Sequence, residues 1–227
     1  MTILDWSGYA GDRGIDEEEL EPYVLPIVLR LEKDENLLPT HEEAQLAVAA
    51  AVLGFFDSEK TAPGGVWRES TDKWLAGRIR KVARRARGKE WDTVRKMDGV
   101  YAKYGNAEVV ILPPHPNFAA PAEIKKLQVS GLDLERKPIL EDYFDGLGFS
   151  VNPNIEMSTG KTLAQVGHAV QLTIFRSSVD ELKTWEEASC PFIVLPWEAK
   201  VSWDAVIHDA GFTEVAPGSE TARGVLL

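Results

Sequence analysis

Segments typical of β-strands alternate with segments of helical periodicity along most of the chain, and this alternation constrains the fold most strongly. The apolar run 23–31 is rich in branched residues and predicts a strand. Thr40 followed by Glu43 is typical of a helix start, and residues 44–56 continue it as an apolar, buried helix. Residues 162–176 predict a second long helix. Strands that alternate with helices indicate an α/β fold.

The remaining elements are short. In the first half, the segments 100–104 and 107–112 predict two strands joined by a tight turn at Gly105-Asn106. Residues 122–127 predict a short helix. In the second half, four segments predict strands: 149–155, 192–195, 205–207 and 223–227.

Residues 78–89 form the densest basic segment, with seven Lys or Arg side chains in twelve positions. The apolar residues between them repeat at helical spacing, so local periodicity predicts a helix with basic flanks. Such a segment can grip a polyanion, or it can be a solvated face paired with the surplus carboxylates of the chain. The sequence leaves both interpretations open.

Charge and cysteine content narrow the function classes. Cys190 is the only cysteine, so neither an internal disulfide nor a cysteine metal cluster can form, and we expect no metal site. An acidic N-terminus and the lack of an apolar run of roughly 20 residues predict a cytoplasmic protein with no membrane partner. The net charge of −11 is unusual for a protein that binds nucleic acid.

Composition and periodicity divide the chain into four parts. Residues 1–20 predict an acidic, poorly ordered arm, and residues 21–128 an N-terminal α/β half that contains the basic segment. Residues 129–147 predict a long connection, and residues 148–227 a second α/β domain.

The start of the second long helix carries the clearest chemical motif. Residues 158–162, Ser-Thr-Gly-Lys-Thr, resemble the end of a phosphate-binding P-loop, but Ile155 stands where that motif needs glycine. A Gly-Lys pair at a helix N-terminus still suits a phosphate or a developing oxyanion. Lys161, Gln165 and His168 follow at spacings of four and three, so they project from one side of the helix. Spacing alone leaves open that they are solvated or structural side chains.

Three blocks of sequence extend this motif. Residues 157–169 read Met-Ser-Thr-Gly-Lys-Thr-Leu-Ala-Gln-Val-Gly-His-Ala, and Trp185-Glu186-Glu187 precedes Pro191 and the strand 192–195. Residues 208–221 read His-Asp-Ala-Gly-Phe-Thr-Glu-Val-Ala-Pro-Gly-Ser-Glu-Thr. In this order, the blocks resemble the type II (archaeal and eukaryotic) peptidyl-tRNA hydrolases, over about the last third of the chain.

The chain also departs from this family. Members commonly carry Lys, Cys and Arg at the positions of Thr159, Val166 and Phe212. Residues 196–203 leave room for at most about two turns of the helix that usually joins the second and third blocks. Residues 148–227 contain five Lys or Arg against ten Asp or Glu. The presumed tRNA-facing surface is therefore less basic than the resemblance leads one to expect.

The resemblance implies a small mixed β-sheet flanked by helices, and hydrolysis of the peptidyl-tRNA ester by water without a cofactor. It implies that Asp209 orients or activates the water and that Lys161 holds a phosphate or stabilises the oxyanion. Thr213 and Thr221 would position water and ribose. The other implied site residues are His168, Gln165, Gly160 and Ser219, and basic residues that would hold the tRNA backbone are Arg78, Arg80, Arg84 and Arg85. Alternatively, Asp209 caps a turn and Thr213 is an ordinary strand residue.

The first half can be aligned with the second. Residues 40–56 align without a gap on 159–175, and residues 105–109 on 211–215. The three polar residues of the second helix would then correspond to Glu42, Leu46 and Ala49. If the chain contains two such units, the first is catalytically empty and the basic segment includes a strand; chance similarity between alanine-rich helices is the alternative. The oligomeric states compatible with this are a monomer with an internal pseudo-dimer and a homodimer.

Two other functions fit the same residues. A non-catalytic module for RNA or a protein partner would keep the scaffold and explain the acidic second half. An esterase for a smaller substrate would need no basic surface. Peptidyl-tRNA is the partner that the resemblance implies.

Overall fold

A computed structural model describes residues 2–9, 22–129, 131–137, 145–211 and 213–227. It confirms the predicted α/β class: two mixed β-sheets are flanked by helices. Among the described residues, no helix combines the length and the apolar character needed to cross a membrane.

The first sheet is built by residues of the N-terminal half. Its elements, in chain order, are β1 (Tyr23–Arg30), α1 (His41–Phe56), α2 (Arg68–Ala76), β2 (Arg80–Ala86), α3 (Lys89–Val94), β3 (Val100–Tyr104), β4 (Ala107–Ile111), β5 (His115–Pro116) and α4 (Ala122–Lys125). The strand order is β2-β1-β4-β3, and β5 pairs with the start of β1. Strand β1 runs parallel to β2 and antiparallel to β4.

The second sheet repeats this arrangement. Its elements are β6 (Leu147–Val151), α5 (Thr159–Arg176), α6 (Val179–Glu187), β7 (Phe192–Val194), β8 (Ala205–His208) and β9 (Glu220–Leu226). The strand order is β7-β6-β9-β8, with β6 parallel to β7 and antiparallel to β9. Apart from α3, β5 and α4, which in the part of the chain that the structure describes occur only in the first half, both halves therefore share the same order of strands and helices and the same pairing directions.

Most predicted elements are confirmed. Helix α1 begins at the predicted cap: the Thr40 side chain accepts from the Glu43 amide, and the Glu43 carboxylate accepts from the Thr40 amide. Strands β3 and β4 form the predicted hairpin, with Gly105 at a φ of 52° in its turn. The short helix α4 and the four strands of the second half also form.

The helix predicted for residues 78–89 is wrong, because Arg80–Ala86 form strand β2. This strand pairs with β1 along its whole length, from Val24 opposite Arg80 to Arg30 opposite Ala86. On the other side, the Arg85 amide donates to the Gln128 carbonyl at 3.0 Å. Pairing with β1, which is distant in the chain, satisfies the backbone hydrogen-bonding groups of residues 80–86. This tertiary pairing outweighs the helical spacing of the apolar residues.

Helices α1 and α5 lie side by side in the core and run in the same direction. At their starts, His41 Nδ1 lies 3.0 Å from Thr159 Oγ1. At their ends, the rings of Phe56 and Phe175 have centroids 5.0 Å apart. One hydrophobic core includes residues of both helices and both sheets, so the two halves fold against each other.

The N-terminal residues differ from the acidic arm that the sequence predicts. Residues Thr2–Trp6 form a 3-10 helix, and Trp6 is buried. Its ring stacks on Phe175 with 5.5 Å between centroids, and its Nε1 donates to the Phe56 carbonyl at 2.9 Å. Apolar burial therefore outweighs the acidic character near the start, whereas residues 10–21 lie outside the described residues.

Within the connection predicted at 129–147, the stretch 131–137 runs past the starts of both long helices. The Thr159 amide donates to the Leu132 carbonyl at 3.0 Å, and the His41 amide to the Glu135 carbonyl at 2.9 Å. The Lys137 amide donates to the Glu42 carboxylate at 2.7 Å. The connection thus satisfies backbone groups that a helix N-terminus leaves unpaired.

Candidate functional site

The three polar residues predicted to share one face of α5 do share it. Ser158 caps the helix, its Oγ accepting from the Lys161 amide at 3.2 Å. Lys161, Gln165 and His168 all line one cleft of 810 Å³. The opposite wall is the edge strand β2, and the segment after β8 closes one side.

Asp209 is the centre of the polar network. Its side chain is 3% exposed, and its Oδ2 lies 2.5 Å from Nζ of Lys161, whose side chain is 11% exposed. Gln165 Nε2 donates to the same oxygen at 2.7 Å. The Gly211 amide donates to Oδ1 at 2.7 Å, so Asp209 also caps a turn, as the alternative interpretation proposed. The same carboxylate therefore contacts both the side chains of α5 and the backbone of the turn.

Gln165 links this pair to strand β9. Thr221 Oγ1 donates to Gln165 Oε1 at 2.9 Å, and Thr221 is fully buried. The Gln165 amide therefore has a fixed orientation, with its oxygen toward Thr221 and its nitrogen toward Asp209. Because Gln165 and Thr221 are both buried, their hydrogen bonds hold the Asp209 carboxylate in one position.

Thr213 and Ser219 occupy more peripheral positions. Thr213 is exposed and lines the cleft, and its Oγ1 lies 3.5 Å from Lys161 Nζ, which is long for a hydrogen bond. Ser219 contributes its backbone: its carbonyl accepts from the Asp209 amide at 2.9 Å. Phe212, where the family commonly has Arg, lies outside the described residues.

A carboxylate lies at the start of α5, where the Gly-Lys motif predicts an anion site. The Glu214 carboxylate accepts from the Ser158 amide and the Ser158 hydroxyl, both at 2.9 Å. A carboxylate of the chain itself thus takes the place at the positive end of the helix dipole. Gly160 lines the cleft, but a Cβ there would make only ordinary contacts, so space does not require glycine.

His168 contacts a residue that the sequence analysis did not assign to the site. Lys81, on β2, is buried, and its Nζ lies 3.0 Å from His168 Nδ1 and 2.5 Å from Gln171 Oε1. Burial lowers the pKa of Lys81 well below its ordinary value. Burial, and then the charges of Lys81 and Lys161, lower the pKa of His168 in the same direction. Only the strand register places Lys81 there, since the basic segment alone does not distinguish it from its neighbours.

The four arginines predicted to hold the tRNA backbone divide into two pairs. Arg78 and Arg80 line the cleft on the side opposite α5. Arg84 Nη1 donates to the Leu127 carbonyl at 2.9 Å, and Arg85 Nη1 to the Gly131 carbonyl at 2.7 Å. Arg84 and Arg85 are therefore engaged in holding the segment after α4, away from the cleft lining.

Comparison of the chain with models of protein families, with curated proteins and with solved structures finds no match. Within the described ranges, no group of three or more His, Cys, Asp or Glu side chains could hold a metal ion.

Proposed function

We propose that the protein hydrolyses the ester bond of peptidyl-tRNA, releasing the peptide and free tRNA. The observation that carries this proposal is the convergence of Lys161, Gln165, Asp209 and Thr221 in one hydrogen-bonded network beside a cleft. These residues come from two separate blocks of sequence, 157–169 and 208–221, and each is a residue for which the resemblance to type II peptidyl-tRNA hydrolases implies a role. Chance clustering of separate motif residues is a poor explanation for this arrangement.

We further infer that the two halves are copies of one hydrolase-like unit, forming a pseudo-dimer within one chain. The shared strand order and pairing directions support this. Matching the two helix caps, Thr40 and Ser158, places Glu43 at the position of Lys161, one residue from the ungapped alignment. Glu43 is held in its capping box, and Ala47 and Ala50 correspond to Gln165 and His168. The first copy would then have no catalytic set of its own.

The network leaves room for one water and one oxyanion. An ionised carboxylate has about four acceptor positions, and Asp209 uses two on Oδ2 and one on Oδ1. The remaining position on Oδ1 would orient the attacking water. Lys161 would direct a free N–H at the oxygen of the tetrahedral intermediate. The water oxygen becomes part of the peptide carboxylate, and a proton passes to the ribose oxygen as the ester bond breaks.

The tRNA would enter along β2, where Arg78 and Arg80 face the catalytic helix across the cleft. These side chains offset the acidic balance of the second half locally. Phosphate contacts of this kind weaken with rising salt, because binding releases counterions from the nucleic acid.

An ester of a smaller substrate is the second candidate. The cleft volume of 810 Å³ falls within the range of about 300–1,000 Å³ that is usual for small-molecule sites. The Glu214 carboxylate at the start of α5 also disfavours a phosphate at that point. A short aminoacyl-nucleotide ester would fit this cleft without using the basic strand.

The deciding experiment measures release of free tRNA from purified peptidyl-tRNA by wild type, Lys161→Met and Asp209→Asn. We expect each substitution to reduce turnover by on the order of 100-fold or more. Lys183→Met, an exposed lysine on α6, is the control and should retain turnover. Cleavage of the short ester alone would favour the second candidate. No cleavage of either substrate by folded wild type would overturn both and favour a non-catalytic module.

A further inference from the structure

Lys81 connects the N-terminal half to the catalytic helix in a way that the proposed mechanism does not use. Its aliphatic chain lies on Gly167, where an added Cβ would be 2.9 Å from Lys81 Cδ. Its ammonium lies 4.9 Å from the centroid of the Trp74 ring. A long, charged side chain is costly to bury, so its contacts must compensate for lost hydration.

The contacts of Lys81 determine the protonation of His168. As an ammonium, Lys81 donates hydrogen bonds and accepts none, so the ring nitrogen that it faces, Nδ1, then carries a lone pair. In a neutral imidazole the proton then resides on Nε2. Lys81 also donates to Gln171 Oε1, which fixes the ammonium between two acceptors on α5.

Two lysines near the ring favour the neutral state of His168. Lys161, on the same helix, and Lys81 both oppose a positive charge on His168. The remaining ionisable residues that line this cleft, from every element packed there, are Arg78, Arg80, Arg176, His208, Asp209 and Glu214.

We propose that Lys81 is a positioning residue that holds His168 as the neutral tautomer protonated on Nε2, so that a donor faces the cleft. Strand β2 of the N-terminal half thereby completes the site on α5. The inferred role in turnover rests on the proposed hydrolase function, whereas the tautomer itself does not. In the reaction, Nε2–H would donate to a substrate oxygen and help orient the ester.

The test is long-range ¹H–¹⁵N correlation NMR of the histidine side chains, with His168→Asn used to assign the His168 signals. In wild type at neutral pH we expect one neutral tautomer, with the proton on Nε2. Lys81→Met should give a mixture of tautomers and raise the pKa of His168, because one opposing charge is removed. Lys33→Met, at an exposed lysine of the same half, should leave both unchanged.

A proton on Nδ1 of His168 in wild type would overturn the proposal. This result needs no variant, so the proposal can be tested even if the Lys81→Met protein folds poorly. In the tRNA-release assay, Lys81→Met should lower kcat by on the order of tenfold and change KM by less than about twofold. If wild type shows the expected tautomer but cleaves nothing, the hydrolase proposal fails and the positioning of His168 stands. If wild type cleaves and Lys81→Met leaves the tautomer unchanged, the Lys81 proposal fails alone.

Discussion

Asp209 Oδ2 accepts from both Lys161 Nζ, at 2.5 Å, and Gln165 Nε2, at 2.7 Å. One carboxylate oxygen thus joins the first and second turns of α5 to the segment after β8. Since Asp209 is nearly inaccessible to solvent, these two partners replace the hydration that its carboxylate loses on burial.

Removing one member of this ion pair should destabilise the protein more than removing both. Asp209→Asn leaves the Lys161 ammonium without its counter-charge and should lower the free energy of unfolding by about 3 kcal/mol. Adding Lys161→Met to that variant should recover about 1 kcal/mol or more. Urea denaturation of the two single variants and the double variant measures the coupling. Strictly additive losses would show that the pair contributes nothing as a pair.

Thr221→Val should destabilise the fold although it preserves the side-chain volume. The substitution leaves the buried Gln165 Oε1 without its donor, which costs about 1–3 kcal/mol. Thr93→Val is the matched control, because the Thr93 hydroxyl is exposed and bonds only within α3; it should change stability by less than about 0.5 kcal/mol. Urea denaturation measures the free energy of unfolding of both variants. Equal losses would contradict the hydrogen bond between Thr221 and Gln165.

Stability should fall on mild acidification. Burial, with a contribution from Arg136, lowers the pKa of His41 below 6.5, and the pKa of His168 lies well below 6.5. Below pH 6.5 the unfolded chain therefore binds more protons than the folded chain. The free energy of unfolding should decrease toward the folded-state pKa values by up to about 1.4 kcal/mol per pH unit for each histidine.

Denaturation curves between about pH 7 and about pH 5 check this slope. His41→Gln should remove the contribution of His41 and flatten the curve. Thr93→Val, which changes an exposed side chain that does not ionise, is the control and should keep the wild-type slope. A stability that rises as the pH falls through this window would contradict the sign of both shifts.

Arg80 and Arg84 should differ in their effect on tRNA binding. Arg80 lines the cleft, so Arg80→Gln should weaken binding and reduce the salt dependence of log Kd by about one unit of slope. Arg84 is held by the Leu127 carbonyl, so Arg84→Gln should instead lower stability by about 1 kcal/mol. Fluorescence titrations of uncharged tRNA at several salt concentrations separate the two. Identical slopes for wild type and Arg80→Gln would show that β2 is not part of the surface that binds tRNA.

Gly224→Ala should disturb the contact between α5 and β9. A Cβ at Gly224 would lie 2.3 Å from Thr173 Oγ1 and 2.9 Å from the Ala169 carbonyl oxygen. Because the second contact is with helix backbone, the strand and helix must separate, at a cost of about 1–3 kcal/mol. Gly77→Ala is the control, since its Cβ would meet backbone oxygens only at 3.7 Å or more. A thermal midpoint unchanged by Gly224→Ala would contradict this packing.

Local chemistry allowed much of the chain to be predicted from its sequence. The Thr40 cap, the Gly105 turn and the shared face of Lys161, Gln165 and His168 depend on residues within a few positions of one another. Backbone hydrogen bonds and helical spacing are determined at that range. The alternation of strands and helices followed from the same local patterns.

Only the tertiary structure decided the state of residues 80–86 and the position of Lys81 beside His168. A strand needs a partner, and the partner of β2 is β1, which is separated from it in the chain by α1 and α2. The positions of Glu214 at the start of α5 and of Trp6 in the core were likewise decided only by the tertiary structure. Each depends on a contact between residues that are far apart in the chain, and such a contact leaves no periodic signal in either segment.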